Sequence, residues 1–182
     1  VPLVPLWGRA MLETGTAKRD YIELTRWISA KTGGIEFDMF ADKVLDSVGL
    51  EADVSCGAVF RGKCTVARVP ELAQILTEVL TSARLTDRER LKIMAAEELA
   101  QAEQSVVPMG HRYVAMRLSA AVAGLSGWVD DATAGVEQIF ALRQINERME
   151  NDWDNLARDM EELRTLLLKQ GGAVLNVTCQ AS

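Results

Sequence analysis

Residues 31–40 read KTGGIEFDMF, and this stretch decides the fold of the chain. It follows residues 20–31, whose apolar side chains recur on one face of a predicted helix. The paired glycines Gly33 and Gly34 end that helix, because glycine readily adopts the backbone conformation found just past a helix C-terminus. Apolar and acidic residues then alternate over residues 35–40, which predicts a half-buried strand. A helix that leads directly into a strand argues against both an all-β module and a simple helical bundle.

Two further segments are predicted to be strands. Residues 54–66, VSCGAVFRGKCTV, are rich in β-branched side chains, and we interpret them as one long strand in preference to two strands broken near Gly62. Residues 173–178, AVLNVT, form an apolar run that predicts a buried strand. Such a strand normally leads into further structure, so we expect the chain to be a piece of a longer polypeptide.

The rest of the chain is predicted to be mostly helical. Thr86 and Glu89 have the spacing of a capping box, in which a hydroxyl and a carboxylate each satisfy a free backbone N–H at a helix start. The helix over residues 70–82 is expected to lie on the sheet, and the last helix is expected to end at Gly171 and Gly172. The predicted helices cover residues 6–13, 20–31, 70–82, 86–105, 113–123, 134–150 and 151–169. Strands followed by runs of helices predict an α+β fold, in which a mostly antiparallel sheet packs its apolar face against long helices.

Length and composition are those of an ordinary globular domain. With 182 residues, 48% of them hydrophobic, the chain can bury one core, so we expect a single domain over residues 1–182. The 20 basic and 26 acidic residues give a formal charge of -6 and form no blocks, which argues against a nucleic-acid partner. No apolar run approaches the roughly 20 residues of a membrane span, so no span is expected. The first residues, VPLVPL, lack an initiator methionine and the features of a signal peptide, and we expect them to lie inside a longer polypeptide.

Histidine and cysteine offer little for a metal site. His111 is the only histidine, so any site that needs two imidazole ligands is excluded by counting. We interpret it as a partly exposed capping or hydrogen-bonding residue at a helix start. Cys56, Cys64 and Cys179 lack a C-x-x-C spacing, which favours a reducing compartment over a disulfide framework. In one extended strand, Cys56 and Cys64 would stand about 26 Å apart, beyond the reach of a disulfide.

Two groups of acidic residues are candidates for a metal cluster or an acid–base pair. Adjacent carboxylates on a helix point about 100° apart. Neither group has the glycine turn and spaced ligands of a calcium loop. We therefore interpret both groups as solvated helix faces, with the last two aspartates placed to complement the dipole of the final helix. The groups are Glu97, Glu98 and Glu103, and Glu150, Asp152 and Asp154.

A series of short motifs, taken in order, resembles one family of peptidases. The most specific is the K-T-G-G-I segment at residues 31–35 with its preceding helix, which itself follows residues 12–16, LETGT. Further motifs follow over nearly the entire chain: Asp20-Tyr21-x-Glu23-Leu24, Arg61-Gly62-Lys63, Leu85-Thr86-Asp87, Gly110-His111, Gly127-Trp128 and Asp152-Trp153. The series is similar to the internal homologous half of presequence proteases, which belong to the pitrilysin and insulinase zinc metallopeptidases.

The resemblance implies four similar α+β units around a closed chamber, with zinc held in the first unit by an inverted H-x-x-E-H helix and a downstream glutamate. That helix continues into a methionine-leucine and then a glycine-threonine, which Met11-Leu12 and Gly15-Thr16 match here. In this frame the five motif positions hold Leu6, Trp7, Gly8, Arg9 and Ala10. Leucine and alanine have no donor atom, and arginine stays protonated. We therefore expect no catalytic, cofactor-binding or metal-binding residue in this chain.

By this resemblance, the chain is expected to be the third unit, a single non-catalytic domain from the C-terminal half of a zinc metalloendopeptidase. The parent enzyme would hold zinc in its catalytic domain and degrade targeting presequences and other short unstructured peptides. This unit would help to enclose those peptide substrates and would contact the catalytic half of the same polypeptide. The family works in the mitochondrial matrix or plastids, and bacterial relatives extend it to the bacterial cytoplasm.

Two other functions stay open on the sequence. One is an inactive processing-peptidase or respiratory core-type subunit, which would have the same fold and act as an interaction scaffold. The other is an independent helical adaptor, which would require the chain to be a complete, stable monomer. An H-x-x-E-H helix upstream in the same polypeptide would favour the peptidase over both.

Overall fold

The computed structural model describes residues 1–43, 54–169 and 173–179. In these ranges the chain forms two antiparallel strands and eight α-helices, together with a short 3-10 turn at Val66–Arg68. The α+β class predicted from the sequence is confirmed. The elements are α1 (Val4–Glu13), α2 (Tyr21–Lys31), β1 (Ile35–Lys43), β2 (Val54–Gly62), α3 (Val69–Ser82), α4 (Arg88–Ser105), α5 (Gly110–Val122), α6 (Leu125–Ala134), α7 (Val136–Asn151) and α8 (Trp153–Leu167).

The junction of α2 and β1 forms as its local sequence predicts. A capping box starts α2, because Asp20 accepts a hydrogen bond from the N–H of Glu23 at 2.7 Å and Glu23 accepts one from the N–H of Asp20 at 3.2 Å. The helix ends where the Thr32 hydroxyl donates to the carbonyl of Ile28 at 2.7 Å. Gly34 follows with a φ of 110°, a left-handed conformation that glycine adopts without strain. The strand starts at the next residue.

The two strands form a sheet with one apolar and one polar face. Phe37 of β1 stands opposite Phe60 of β2, and both rings pack against the core. On the other face Asp38 forms an ion pair with Arg61 at 2.8 Å, and both side chains are more than half exposed. The alternation of apolar and acidic residues therefore separates a core side from a solvent side, as predicted.

Helix α1 lies at the centre of the core. Four of its side chains, Leu6, Trp7, Ala10 and Met11, have no exposed surface. They pack with buried residues that come from α2, α3, α4, α7 and α8, including Leu24, Ile75, Leu91, Met149 and Leu156. The sheet closes the same cluster through Phe37 and Phe60. Helices distant in sequence are thus held together around one central helix.

The expectation of one long strand over residues 54–66 is wrong, because β2 ends at Gly62. A Cβ atom at that glycine would stand 2.7 Å from a methyl carbon of Leu72, so the strand end lies directly against α3. Lys63 still bonds to Gly33 and Gly34, and the chain then turns into the 3-10 segment. Helix α3, expected to lie on the sheet, packs mainly against α1 and α2.

Two helix predictions in the second half also need correction. The N-cap of α4 is Asp87, which accepts from the N–H of Arg90 at 3.1 Å, so the predicted capping box at Thr86 and Glu89 does not form. Helix α6, which begins after Gly124, is absent from the helices that the sequence predicts. Its Gly127 packs so closely on α5 that a Cβ there would stand 2.3 Å from the carbonyl oxygen of Ser119.

The strand predicted at residues 173–178 does not form. Residues 173–179 have no regular secondary structure, and Val174 and Leu175 are 93% and 86% exposed. A strand is stable only when a neighbour pairs with it, and these residues have no such neighbour in the described ranges. The predicted helix stop at Gly171 and Gly172 lies outside the described residues, with α8 ending at Leu167. Among the helices that the structure describes, none has the length and apolarity that crossing a bilayer requires.

Candidate functional site

Helix α1, which the resemblance aligns with the zinc-motif helix, packs against the sheet through aromatic side chains. The ring of Trp7 meets the rings of Phe37 and Phe60 edge-on, with centroids 5.9 and 6.2 Å apart. The ring centroids of the two phenylalanines lie 5.2 Å apart. The second position of the five-residue frame is thus a packing residue that spans both strands.

Gly8 allows this close approach of helix and strand. A Cβ atom at this position would stand 2.0 to 2.2 Å from ring carbons of Phe37, far inside van der Waals contact. Leu6 and Ala10, which occupy the first and last positions of the frame, have no exposed surface. The face of α1 that would carry metal ligands in a catalytic unit is therefore filled with apolar contacts.

Arg9 is held by carboxylates of α1 and α4. Its guanidinium donates to Glu13 at 3.0 Å and to Glu97 at 2.7 Å, and it also reaches the carbonyl of Met94 at 3.3 Å. Burial alone would lower the pKa of Arg9, but the hydrogen bonds to Glu13 and Glu97 outweigh it and raise that pKa. A guanidinium fixed in this way can neither bind a cation nor accept a proton from water.

Glu98 completes this group, and its proton affinity is unusual. Its side chain is 18% exposed, and one carboxylate oxygen stands 3.8 Å from Arg9, so the expected solvated helix face is wrong for this residue. Burial raises the pKa of Glu98 to about 7; Arg9 opposes this rise, and the neighbouring carboxylates of Glu13 and Glu97 add to it. The group therefore changes charge near neutral pH. We call Arg9, Glu13, Glu97 and Glu98 the Arg9 cluster.

The residues of this frame do not fit a zinc ion. The side chains at positions 6, 7 and 10 offer no metal donor, and the fourth position is a fixed cation. Elsewhere in residues 1–43, 54–169 and 173–179, no group of three histidine, cysteine, aspartate or glutamate side chains could hold a metal ion. That this chain binds no metal stays a prediction.

A cleft of about 720 Å³ opens beside α1. It lies between α1, the N-terminal half of β1 and the helices α5 and α6, and none of its lining residues comes from β2. The cleft is thus on the side of β1 that faces away from its partner strand. The charged residues that line it are four acids and two bases: Glu13, Glu36, Asp38, Asp130, Arg9 and Arg112.

The edge of β1 that faces away from β2 carries backbone groups outside the strand ladder. The backbone carbonyl of Lys63 accepts from the N–H of Gly33 at 2.7 Å, and the backbone N–H of Lys63 donates to the carbonyl of Gly34 at 3.3 Å. Because the backbone groups of successive strand residues point to opposite edges, the direction at Gly34 sets the direction of every later residue of β1. In agreement, the N–H of Met39 donates to the Asp38 side chain at 2.9 Å. The residues whose backbone groups point to this edge, beside which α6 also packs, are Ile35, Phe37 and Met39. All three line the cleft.

Most residues that the sequence singled out lie apart from this cleft. His111 is exposed in the first turn of α5, whose N-cap is Met109, so the expected capping role is wrong. Glu103 pairs with Arg143 at 2.7 Å on the surface. Cys56, Cys64 and Cys179 are free thiols.

The second acidic group forms local ion pairs. Glu150 pairs with Lys92, and the guanidinium of Arg148 lies 3.3 Å from Asp152, the N-cap of α8. Asp154 lies in the first turn of α8, where its charge complements the helix dipole as predicted. These contacts agree with the interpretation of solvated helix faces.

Two buried polar groups were missed by sequence reasoning. Glu78 of α3 is 7% exposed and accepts from the Thr16 hydroxyl at 2.7 Å and from Arg19. Asp131 of α6 is 1% exposed and pairs with Arg117. Glu78 lies 59 residues from Arg19 in the sequence, and no local motif predicts an ion pair over that distance. Glu78 ties the loop after α1 to α3, Asp131 ties α6 to α5, and both lie outside the cleft.

A match to a family model identifies the chain as a peptidase-associated domain. The chain belongs to the family described as Peptidase M16 (subfamily C) associated, whose model matches residues 1–145. This membership confirms the resemblance to presequence proteases noted in the sequence.

Several curated relatives match nearly the whole chain. "Presequence protease 1, chloroplastic/mitochondrial" of Arabidopsis thaliana is 28% identical over 179 residues, which cover 98% of this chain and 16% of the relative. "Presequence protease, mitochondrial" of Mus musculus is 22% identical over 92% of this chain and 16% of its own length. "Protein HypA" of Clostridium perfringens is 22% identical over 97% of this chain and 18% of its own. The chain thus spans about a sixth of the length of these relatives.

Proposed function

We propose that this chain is a structural, substrate-enclosing unit of a zinc metalloendopeptidase that degrades targeting presequences and other short unstructured peptides. The observation that carries the proposal is the motif helix α1, which keeps its place against the sheet while its ligand positions are filled by packing side chains and by Arg9. Such a helix supports the architecture of the unit and leaves hydrolysis, with its zinc, to another unit of the same polypeptide.

The edge of β1 beside the cleft suits the wall of a chamber that encloses peptides. An extended peptide can add to an exposed strand edge through main-chain hydrogen bonds, whatever its sequence. The residues Ile35, Phe37 and Met39 direct their backbone groups to this edge, beside a cleft of about 720 Å³. An unstructured peptide needs no unfolding before it pairs there, whereas a folded protein does.

The charge of the cleft favours basic peptides. Glu36 and Asp130 line it, both are exposed, and neither has an ion-pair partner among the described residues. Targeting presequences are rich in arginine and poor in acidic residues. These two carboxylates outnumber Arg112, the cleft cation that has no ion pair among the described residues, so the wall would attract such peptides more than neutral ones. The names of the relatives, which are mitochondrial or chloroplastic presequence proteases, support both this substrate class and a mitochondrial or plastid location.

The proposal is tested in the full-length polypeptide by reversing these two charges. In the Glu36→Lys/Asp130→Lys variant, we expect the KM for an arginine-rich presequence peptide to rise about threefold to tenfold, since exposed charge pairs contribute up to about 1 kcal/mol each. The kcat, and the KM for an uncharged peptide of equal length, should stay unchanged. The Glu147→Lys/Glu162→Lys variant, which reverses two exposed charges outside the cleft, is the matched control. Equal effects of both variants, or no effect of either, would contradict a substrate-enclosing role for this cleft.

The scaffold alternative remains distinguishable by experiment. An inactive subunit of a processing peptidase or respiratory complex would have the same filled motif helix. Its full-length polypeptide would show no peptide cleavage and would carry no H-x-x-E-H helix in any unit. The measured cleavage of a presequence peptide by the full-length protein, and its loss on addition of a zinc chelator, separate the two functions.

A further inference from the structure

Helix α5 differs from the other α-helices that the structure describes, because it contributes no buried residue to the described fold. One side of the helix faces the molecule, where Arg112 and Met116 line the cleft and Tyr113 bonds to Ser105 at 2.6 Å. Apolar residues nevertheless cover its opposite side. That side is the feature from which the inference starts.

The exposed side of α5 is an apolar stripe without formal charge. Val114, Leu118 and Val122 are 60%, 62% and 82% exposed, and they follow one another at intervals of four residues on one face of the helix. Between them lie the exposed alanines Ala115 and Ala121. We call residues 111, 114, 115, 118, 121 and 122 the α5 stripe.

The spacing of the α5 stripe suits a partner helix. Residues 111, 114, 118 and 121 repeat at intervals of three, four and three, the pattern with which one helix inserts side chains between those of another. The 13 residues of α5 extend over about 20 Å, long enough for several such layers. The small side chains of Ala115 and Ala121 allow close approach of the two helices. A partner without a complementary apolar helix face would leave the valines and the leucine exposed to water.

We propose that the α5 stripe is covered by an apolar helix face supplied by the remainder of the same polypeptide. This inference rests on the proposed function, because that function makes the chain one unit of a longer protein. The curated relatives have about five-sixths of their length outside the matched region, so chain for such a helix exists in them. The stripe lies wholly inside the region that matches the family model.

A cysteine probe in the full-length protein tests whether the stripe is covered. The thiol of Leu118→Cys should react with maleimide at least about tenfold more slowly in the native protein than in denaturant, since reactivity requires an accessible thiolate. Peptide-resolved mass spectrometry separates this thiol from Cys56, Cys64 and Cys179. Native labelling within about twofold of the denatured rate would overturn the proposal.

Two further measurements identify what covers the stripe. The slow rate should persist in a preparation that light scattering shows to be monomeric, and after residues 44–53 are replaced by a glycine-serine linker. A slow rate confined to a dimer would assign the stripe to a second copy and overturn the proposal. A rate restored by the linker would assign the cover to this chain itself, which also overturns it.

A matched pair of substitutions tests whether covering the α5 stripe stabilises the full-length protein. Val122 and Val66 are 82% and 83% exposed in the described fold, so Val122→Glu and Val66→Glu should behave alike if nothing covers α5. We expect the midpoint of thermal unfolding of the full-length protein to fall for Val122→Glu and to stay unchanged for Val66→Glu. Cleavage of a presequence peptide by the unsubstituted preparation tests the proposed function separately. A covered stripe in a protein without that activity would contradict only the proposed function. An exposed stripe in an active peptidase would contradict only this inference.

Discussion

Trp7 joins helix α1 to both strands of the sheet. It is fully buried, and its ring contacts Phe37 and Phe60. Its indole N–H has no hydrogen-bond partner in the part of the chain that the structure describes. The residue therefore stabilises the unit through ring packing, at the cost of one buried polar group.

Two substitutions separate these contributions. Trp7→Ala should lower the free energy of unfolding by about 3–5 kcal/mol, because it leaves a large cavity between helix and sheet. Trp7→Phe should cost much less, since it keeps an aromatic ring and removes the unpartnered N–H. Urea denaturation followed by circular dichroism measures both. A similar loss for the two variants would contradict the packing role.

Glu98 gives the unit a pH dependence whose sign follows from its environment. Burial raises the pKa of Glu98 to about 7 from its ordinary 4.5, so the folded state binds a proton more tightly than the unfolded state. The protonated form stabilises the fold fully below about pH 4.5, and this contribution is lost as the pH rises to about 7. Glu98→Gln should remove the dependence.

Denaturation as a function of pH provides the test. At pH 8 Glu98→Gln should be more stable than the unsubstituted protein by up to about 3 kcal/mol, and near pH 4.5 the two should be equal. Glu162→Gln, an exposed carboxylate on α8, is the control and should leave the profile unchanged. Parallel profiles for Glu98→Gln and the unsubstituted protein would show that the carboxyl has no raised pKa.

The contact between α1 and β1 depends on a single glycine. Gly8 faces the Phe37 ring with no room for a methyl group, whereas a Cβ at Gly110, at the start of α5, would have no atom within 4 Å. Gly8 lies inside α1 and Gly110 is the first residue of α5, so alanine has a propensity advantage at both sites, the smaller one at Gly110. The two positions therefore separate packing from propensity.

Alanine substitutions at these glycines should act in opposite directions. Gly8→Ala should lower the free energy of unfolding by about 1–3 kcal/mol, because the added methyl group overpacks the helix–sheet contact. Gly110→Ala should be neutral or stabilising by up to about 1 kcal/mol. Thermal or urea unfolding of the two variants is the measurement. A stabilising Gly8→Ala would mean that α1 does not lie against the sheet in the way described.

The elements that sequence predicts well are those with local signals. Helix α2 has a capping box and a glycine stop, and β1 has strict alternation, so their starts follow from neighbouring residues, although β1 continues to Lys43, past the alternation at residues 35–40. Helix α6 has no such signal, since Gly124 and Gly127 discourage a helical prediction, and the close packing of Gly127 on Ser119 appears only in the folded chain. The segment at residues 173–178 has the composition of a strand, but composition supplies no pairing partner.

For the functional site, the sequence predicts an absence of metal ligands, and that absence stays a prediction. A single histidine and the residues in the motif frame predict a unit without a metal site from counting and position alone. The cleft itself was not predicted, because it brings together residues as distant as Arg9 and Asp130. The Arg9 cluster likewise joins α1 to Glu97, 88 residues along the chain, and no sequence pattern encodes that contact.

At the scale of the whole molecule, the chain has the properties of one unit among several. The family match, the length of the relatives and the unpartnered α5 stripe all agree with a position inside a larger protein. The chain nevertheless has a core of its own. This core is built around α1 from helices that precede and follow the two strands in the sequence. These properties support the proposal that this unit contributes architecture and that zinc chemistry belongs to another.

The zinc content of the full-length polypeptide tests this assignment most directly. Native mass spectrometry should find one zinc ion per polypeptide, retained in full by the Glu98→Gln variant, because no residue around α1 is a ligand. Two zinc ions per polypeptide, or loss of zinc in that variant, would place a metal in this unit and contradict the assignment.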